Sequence, residues 1–546
     1  MSNYQRQLDQ LRSAFPPPVS DQVHDGYVVF SLLRALDQVD ALKSQAPILG
    51  EPTQPDYATA SAARLDDEGR TVEQVVPELV RSLEGMLINS HPRNQVNVSP
   101  HPSIASVIGV MLPAIFNPNL CSDESGGGVG EVELRVAAMV ADLIGYDAQQ
   151  AGGLFTFGGT GAMLYGVKIG LEKALPGSLR EGVSGRAVIL ASEQSHSACL
   201  NVAGWLGIGQ DQVVRVPTQA DNSIDAGALA DAAREQLSGG GRIAAFVATL
   251  GTTDAFGLDD LEAIHRLRDR LVEEFSLDYR PHIHADAVIG WAWSVFNDYD
   301  FQNNPLEFRG RTVRALATSR SRVRHLHLAD SLGVDFHKTG FAPYTSSLVL
   351  LRDRDDFQSL VRERGQMPYL FHSGEYHPGM YTLETTRSGT GPLSALASLR
   401  LLGREGLRVL LGHGVEMAEI LREQIGSCPE LTVLNSENVG PVTLFRAYPS
   451  GVDTFEVKRR EQSDESFAPK LREYNDFNRR IFEHVHAEAM AGRGVAIGLT
   501  DCYRRTDYGE PLVALKSYVL SPFADESRMK SIVHHVLAAR DHVQAE

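Results

Sequence analysis

Short apolar segments that alternate with amphipathic helical patterns constrain the fold of this chain more than any other feature. Residues 187–191, 243–248 and 282–288 are each rich in apolar side chains, and each segment predicts a buried strand. Between the second and third segments, apolar residues recur at spacings of three and four from Leu261 to Leu271, which predicts an amphipathic helix. Strand, helix and strand at this spacing are typical of βαβ units with right-handed crossovers. The sequence therefore predicts an α/β protein with a mostly parallel sheet.

The pattern changes twice along the 546 residues, which are too many for one ordinary core. Residues 1–99 are expected to form a helical segment with a linker near 45–69, where prolines and polar residues interrupt the periodicity. Residues 100–392 carry the alternation of strands and helices and are expected to form the large domain. Residues 393–546 begin with a long helical stretch, continue into shorter strands, and are expected to form a smaller α+β domain.

Charge and composition exclude several classes of function. The net charge of −18 argues against a protein that binds nucleic acid without regard to sequence, because such binding needs a positive surface. The N-terminal residues show no basic segment leading into an apolar run, and no apolar stretch reaches about 18 residues, so neither a secretory signal nor a membrane span is expected. The four cysteines form no CxxC pair and no disulfide framework, which favours a reducing cytoplasm. No metal site is predicted.

Two candidate ligand-binding segments follow predicted strands, where open α/β sheets bind their ligands. Glycines at 158, 159 and 161, with Thr160, come just before a helical pattern, so their backbone N–H groups and the helix dipole favour a phosphate. His196 follows the strand that ends near residue 191, and its flat ring could stack on a flat ligand. A plain glycine-rich turn and a capping or core histidine are the alternative interpretations.

Two ionisable residues occupy the corresponding places after later strands. Asp286 follows a buried segment and needs a cationic partner there, unless it caps the next helix. Lys338 stands among Phe336, His337 and Phe341, where partial desolvation is expected to lower its pKa and expose a nucleophilic amine, unless it is an exposed lysine on a turn. Such an amine suits a Schiff base. A phosphate cradle, a stacking ring, an acid and this lysine together match pyridoxal 5′-phosphate.

The chain resembles the group II pyridoxal-phosphate decarboxylases of fold type I, which include aromatic-amino-acid, tyrosine, glutamate and aspartate decarboxylases. The resemblance runs over most of residues 85–425. The segments that carry it are His91-Pro92-Arg93, Gly158-Gly159-Thr160, Ser192 to His196, Ala248 to Thr253, His284-x-Asp286, His337-Lys338 and Thr386 to Gly389. It implies an aspartate-aminotransferase-like fold, a homodimer with the active site at the subunit interface, and N-terminal helices packed across the partner.

The resemblance also implies a role for each site residue. Gly159 and Thr160 would bind the cofactor's phosphate, and Thr249 and His337 would help to fix the ring and the phosphate. The catalytic residues it implies are Lys338 as the Schiff-base lysine, Asp286 as the partner of the ring nitrogen, His196 as the stacking residue, and a tyrosine that protonates Cα. For that tyrosine the choice is Tyr376, in the loop-like stretch 366–380, with Tyr381 and His377 as rivals.

The chain departs from the family pattern at several positions. Gly161 stands where an acidic residue is usual, Phe157 where a small residue is usual, and Thr339 where a tryptophan often follows the lysine. The stretch between the predicted ring-nitrogen partner and the predicted Schiff-base lysine is long, and its polar, Arg-rich part at roughly 297–323 resembles the bacterial tyrosine decarboxylase branch. These departures concern the substrate rather than the cofactor.

The predicted activity is removal of the α-carboxylate of an L-amino acid, which gives the amine and CO2. An aromatic substrate such as tyrosine is favoured, because Trp291, Trp293 and Phe296 could wall a pocket, although plain core packing also explains them. An acidic amino acid is next, with Arg93 or Arg387 as its partner. The alternatives are an oxidative decarboxylase-deaminase, a carbon–carbon lyase on the same scaffold, and a catalytically silent binding homologue.

Overall fold

The computed structural model describes residues 2–546 of the chain. Its strands are β1 (Asn94–Gln95), β2 (Gly152–Thr156), β3 (Ala187–Ser192), β4 (Val213–Val216), β5 (Arg242–Thr249), β6 (His282–Asp286), β7 (Ser331–Asp335), β8 (Ser347–Leu351), β9 (Leu431–Val433), β10 (Val442–Ala447), β11 (Ala496–Thr500) and β12 (Ala514–Tyr518).

The α-helices are interspersed with these strands along the chain. They are α1 (Asn3–Arg12), α2 (Gln22–Ala41), α3 (Tyr57–Ser61), α4 (Val72–Arg81), α5 (Ile104–Phe116), α6 (Asp123–Gly126), α7 (Gly128–Ile144), α8 (Gly159–Ala174), α9 (Ser178–Glu181), α10 (Ala198–Trp205), α11 (Ala226–Ser238), α12 (Leu261–Glu274), α13 (Gly310–Val323), α14 (Thr390–Gly426), α15 (Thr454–Ser463), α16 (Ala468–Met490) and α17 (Glu526–Ala545). Helix α14 is interrupted at Gly403, whose φ is 59°. Within residues 2–546, none of the helices has the length and apolar content needed to cross a bilayer.

A seven-stranded sheet forms the centre of the large domain, in the order β2-β8-β7-β6-β5-β3-β4. Strand β8 runs antiparallel to both of its neighbours, β2 and β7, and the other pairs are parallel. The predicted α/β class and the mostly parallel sheet are confirmed. Since β8 runs opposite to both β2 and β7, these two strands point the same way. The carboxyl ends of β2, β3, β5, β6 and β7 therefore all lie at one edge of the sheet.

The central strands are covered on both faces, as a mostly parallel sheet requires. Every residue of β3, β6 and β7 is buried. Trp291, Trp293 and Phe296, which follow β6, are completely buried in the main hydrophobic core, where Trp291 contacts Phe336 and Trp293 contacts Phe256. These rings therefore fill the core, and the interpretation that they wall a substrate pocket was wrong.

The second sheet joins the two ends of the chain. It has five strands in the order β1-β11-β12-β10-β9. Strand β1 comes before the large domain, yet it pairs in parallel with β11, with Asn94 opposite Ala496. Arg93 supports this junction, because its Nη1 donates hydrogen bonds to the carbonyl oxygens of Gln45 and Gly492, each at 3.2 Å. The domain boundaries given above remain a prediction, with residues 94–95 contributing to the C-terminal sheet.

Candidate active site

Three acidic or hydroxyl side chains end neighbouring parallel strands. Asp286 is the last residue of β6, and it lies directly opposite Thr249, the last residue of β5. On its other side Asp286 is opposite Gly333 of β7, and that strand ends at Asp335. The sheet therefore places Thr249, Asp286 and Asp335 side by side at the edge where ligands bind.

Lys338 follows β7 and reaches back over this edge. Its Nζ lies 2.9 Å from Oδ2 of Asp335. Burial lowers the pKa of Lys338, but the negative charges of Asp335 and Asp286 outweigh burial, so the net pKa is raised above its ordinary value. The expectation that Lys338 has a lowered pKa was wrong for this state of the protein, because two carboxylates face the amine.

Asp286 is a buried carboxyl group that needs a cation. Burial raises its pKa, and the charges of Lys338 and His196 oppose that rise. His196 is itself exposed, in the segment after β3, where its Nδ1 accepts a hydrogen bond from the backbone N–H of Ala198 at 3.1 Å. The structure thus brings His196, Asp286 and Lys338 into electrostatic reach of one another. A protonated ring nitrogen would satisfy the carboxylate that these residues surround.

The glycine turn closes the other side of the site. Gly158 has φ of 125°, which favours glycine, and helix α8 begins at the next residue. A Cβ on Gly159 would lie 2.9 Å from Cγ1 of Val288 and 3.1 Å from Oδ2 of Asp335, so only glycine lets the turn approach the strand ends this closely. Thr160 is half-buried in the first turn of α8. The helix N-terminus offers the positive dipole end that a phosphate prefers.

Thr249 and His337 complete the group of predicted cofactor residues. The Oγ1 atom of Thr249 is buried and has no hydrogen-bond partner within residues 2–546. The backbone of Thr249 is fixed by Asp259, whose Oδ2 accepts its N–H at 2.7 Å. His337 has its Nδ1 3.1 Å from the carbonyl oxygen of Ser346, and burial lowers the pKa of its imidazole. The site thus offers an unpaired buried hydroxyl, a buried carboxylate, a glycine turn and an amine. This set of groups fits pyridoxal phosphate.

Tyr376 is bound by a different set of residues. Its hydroxyl donates a hydrogen bond to Oε2 of Glu133 at 2.9 Å, and Glu133 forms a buried ion pair with Arg387. Burial and the Glu133 carboxylate raise the pKa of Tyr376 well above its usual value. The role of Tyr376 as proton donor stays a prediction, and so do its rivals Tyr381 and His377.

Several residues of the site escaped the sequence reasoning. No role was predicted for Asp335, although its carboxylate binds Lys338 and accepts a hydrogen bond from Ser347 Oγ at 2.6 Å. Asp259 does not follow a predicted strand, so the sequence gives no indication of its role other than its charge. The sequence does carry a signal for Glu133, since an acid within the apolar stripe of α7 needs a buried partner. No role was predicted for Tyr344, whose ring lies 4.2 Å from that of His337.

The fold and this group of side chains define a pyridoxal-phosphate enzyme of fold type I. The chain belongs to the pyridoxal-dependent decarboxylase family, whose conserved domain matches residues 55–447. The protein is therefore a pyridoxal-phosphate-dependent amino acid decarboxylase, which is a carboxy-lyase.

Proteins from several organisms resemble the chain over most of its length. An L-2,4-diaminobutyrate decarboxylase of Acinetobacter baumannii is 25% identical over 495 residues, which are 87% of this chain and 86% of that protein. An aromatic-L-amino-acid decarboxylase of Bacillus atrophaeus is 25% identical over 379 residues, which are 66% of this chain and 71% of that one. The structure of mouse CSAD, at 17% identity and a TM-score of 0.77, covers 95% of this chain and is itself covered to 99%, which shows a shared fold.

Proposed function

We propose that this enzyme decarboxylates an aromatic L-amino acid, such as tyrosine, and releases the corresponding amine and CO2. The observation that carries the proposal is a pair of exposed aromatic rings beside the site. Phe157, directly before the glycine turn, is 49% exposed, and Tyr344, whose ring packs on His337, is 58% exposed. Large apolar rings left open to water beside a ligand site are the surface that an aromatic side chain would cover.

The proposed roles of the site residues follow from where their atoms lie. Lys338 would bond the cofactor's aldehyde and later exchange it for the substrate amine. Asp286 would keep the ring nitrogen protonated, Thr160 would bind the phosphate, and His196 would stack on the ring. Thr249 would direct its unpaired hydroxyl toward the cofactor. When bound, pyridoxal phosphate supplies an electron sink for the bond that breaks at Cα.

An acidic substrate finds less support in the same residues. Arg387 is buried and paired with Glu133, and Arg93 holds two backbone carbonyl groups at the junction with the C-terminal sheet. Neither guanidinium is available to a second carboxylate without breaking those bonds, and leaving Glu133 buried without its partner would be strongly destabilising.

L-2,4-diaminobutyrate is the second candidate substrate. It is favoured by the Acinetobacter baumannii relative, which spans 87% of this chain and carries that substrate in its name. The side-chain ammonium of diaminobutyrate would need a carboxylate. Asp335 is a carboxylate of the site, and it is already bound to Lys338 and Ser347.

A substrate screen tests the proposal directly. The holoenzyme is incubated separately with each of the twenty common L-amino acids and with L-2,4-diaminobutyrate, and amines, aldehydes and ammonia are measured by mass spectrometry. An aromatic amine as the main product is expected. Formation of 1,3-diaminopropane would instead support L-2,4-diaminobutyrate as the substrate, and an amine from glutamate or aspartate would support an acidic substrate. An aldehyde with ammonia would support oxidative deamination. Cofactor binding without any product would favour the silent homologue.

The role of the exposed ring has its own test. Replacing Phe157 by aspartate should lower kcat/KM for the aromatic substrate about ten-fold or more, because contact with a buried phenyl ring is worth roughly 1.5–3 kcal/mol. Trp205→Asp is the matched control, since Trp205 is also an exposed aromatic but ends helix α10. An unchanged kcat/KM in the Phe157 variant would remove the observation on which the substrate assignment rests.

We also propose that the enzyme is a homodimer in the cytoplasm. Helix α5 presents an exposed apolar stripe of Ile104, Ile108 and Leu112, at a spacing of four residues, which a second copy would cover. All four cysteines are free thiols, which suits a reducing compartment. Light scattering should give twice the mass of one chain, and Ile108→Glu with Leu112→Glu should reduce it to a single chain. A wild-type monomer would contradict the dimer.

A further inference from the structure

Glu133 is a completely buried carboxylate that belongs to no step of the proposed chemistry. It projects from α7, and its two oxygens bind three different parts of the chain. Oε1 accepts the backbone N–H of Phe155 at 2.8 Å. Oε2 accepts the Tyr376 hydroxyl at 2.9 Å and one N–H of Arg387 at 3.0 Å, and a second N–H of Arg387 reaches Oε1. A group with this many partners fixes their positions relative to one another.

Phe155 connects this carboxylate to the cofactor site. It lies in β2, an edge strand of the large sheet, and Glu133 accepts its N–H. The ring of Phe155 stacks on that of Phe336 at 5.7 Å, immediately before His337 and Lys338. The next residue, Thr156, donates a hydrogen bond from Oγ1 to the carbonyl oxygen of Gly158 at 2.9 Å. A shift of Phe155 would therefore move both the glycine turn and the segment that bears the lysine.

Tyr376 connects the same carboxylate to a loop. The backbone N–H of Tyr376 is also held by Asp123, whose Oδ2 lies at 3.1 Å, and Glu124 accepts the N–H of Phe371 at 3.0 Å. Residues 371–376, which we name the anchored segment, are thus bound to the start of helix α6 by the carboxylates of Asp123 and Glu124. They are bound to Glu133 by the Tyr376 hydroxyl. The anchored segment and the glycine turn share Glu133 as a common support.

We propose that Glu133 is a positioning residue that couples the anchored segment to the cofactor's phosphate turn, with the Tyr376 hydroxyl as the connection between them. When the hydroxyl is bound, Glu133, Phe155 and the turn are held in the arrangement described above. When it is lost, only Arg387 and the N–H of Phe155 orient the carboxylate, and the end of β2 is less firmly fixed. Cofactor affinity and substrate KM should then change together.

Two substitutions on opposite sides of the contact test the coupling. Tyr376→Phe removes the hydroxyl and keeps the ring. Gly130→Ala leaves the hydroxyl in place but puts a Cβ 3.1 Å from Cδ1 of Tyr376, which must move the ring, while alanine favours the helix itself. Tyr146→Phe is the control, because it also removes one buried hydroxyl bond, at 2.8 Å to the carbonyl oxygen of Ala329, without touching Glu133.

Both test variants should bind pyridoxal phosphate at least five-fold more weakly, measured by absorbance titration of the apoenzyme. Both should raise KM several-fold, Gly130→Ala should change kcat less than three-fold, and Tyr146→Phe should match wild type. Wild-type cofactor affinity in Tyr376→Phe would overturn the proposal. A kcat loss of a hundred-fold at unchanged KM and affinity would also overturn it and support Tyr376 as the proton donor. The kinetic readout rests on the proposed function, whereas the affinity readout stands if no aromatic substrate is turned over.

Discussion

The ammonium group of Lys338 lies 2.9 Å from the carboxylate of Asp335, which in turn lies against the glycine turn at Gly159. One carboxylate thus faces both the amine proposed to bind the cofactor's aldehyde and the turn proposed to bind its phosphate. The amine must be neutral to react, and Asp335 favours its charged form. This arrangement stabilises the cofactor-free site at the expense of its reactivity.

Replacing Asp335 by asparagine should speed the uptake of the cofactor. The pKa of Lys338 is raised by Asp335 and Asp286, so removing one carboxylate lowers that pKa and increases the neutral fraction of the amine at pH 7–8. The rate of the absorbance change after mixing apoenzyme with pyridoxal phosphate should rise several-fold at pH 7.5, and the rate–pH profile should move to lower pH. Asp353→Asn, on the loop after β8, is the control. A slower rate would mean that Asp335 aids binding in another way.

Lys338→Ala should abolish turnover and the covalent retention of the cofactor. Lys168 of α8 is a buried lysine and provides the comparison. After borohydride reduction, intact-mass measurement should show the added cofactor in wild type and in Lys168→Met, and none in Lys338→Ala. An alanine variant that keeps measurable activity would show that another residue bonds the cofactor.

Asp286→Ala should lose most of the activity, since the ring nitrogen would no longer be held protonated and the electron sink would weaken. We expect a fall in kcat of at least a hundred-fold, which corresponds to about 2.7 kcal/mol of transition-state stabilisation. Asp286→Glu tests whether charge alone suffices. Full activity in the alanine variant would contradict the role assigned to this carboxylate.

The stability of the protein should depend on the protonation of Asp259. Burial raises its pKa to about 7, although the N–H groups of Thr249 and Ile224 act in the opposite direction. Because the folded state holds this proton more tightly than the unfolded state, stability from Asp259 is complete below about pH 4 and is lost as the pH rises toward 7. The melting temperature of Asp259→Asn, measured relative to wild type, should therefore increase from pH 4.5 to pH 7.5. A difference independent of pH would show that Asp259 folds already ionised.

The sequence predicted the sheet better than it predicted the environment of the site. Strands such as β5 and β6 are continuous apolar runs, and a fully buried parallel strand has no other simple pattern. The resemblance to a family located Lys338, Asp286 and Thr249, all of which the structure brings to one edge. The pKa of Lys338 could not be read in the same way, because it depends on carboxylates that the fold brings close from other strands.

The position of Tyr376 shows the same limit for loops. Its stretch has the glycines and prolines of a loop, and nothing local in that stretch names its partner Glu133, which lies 243 residues earlier in the chain. The interpretation of the aromatic residues after β6 was wrong for a different reason. A large ring in an apolar segment fits a core and a pocket equally well, and only the packing of the whole domain decides between them.

The pairing of β1 with β11 has a consequence for synthesis on the ribosome. Residues 94–95 emerge early, but their partner strand at 496–497 is made about four hundred residues later, after the whole large domain. During that interval β1 has no partner strand with which to pair. Strand β11 then pairs with β1, so a chain truncated before β11 would leave β1 unpaired as well as lack its C-terminal strands.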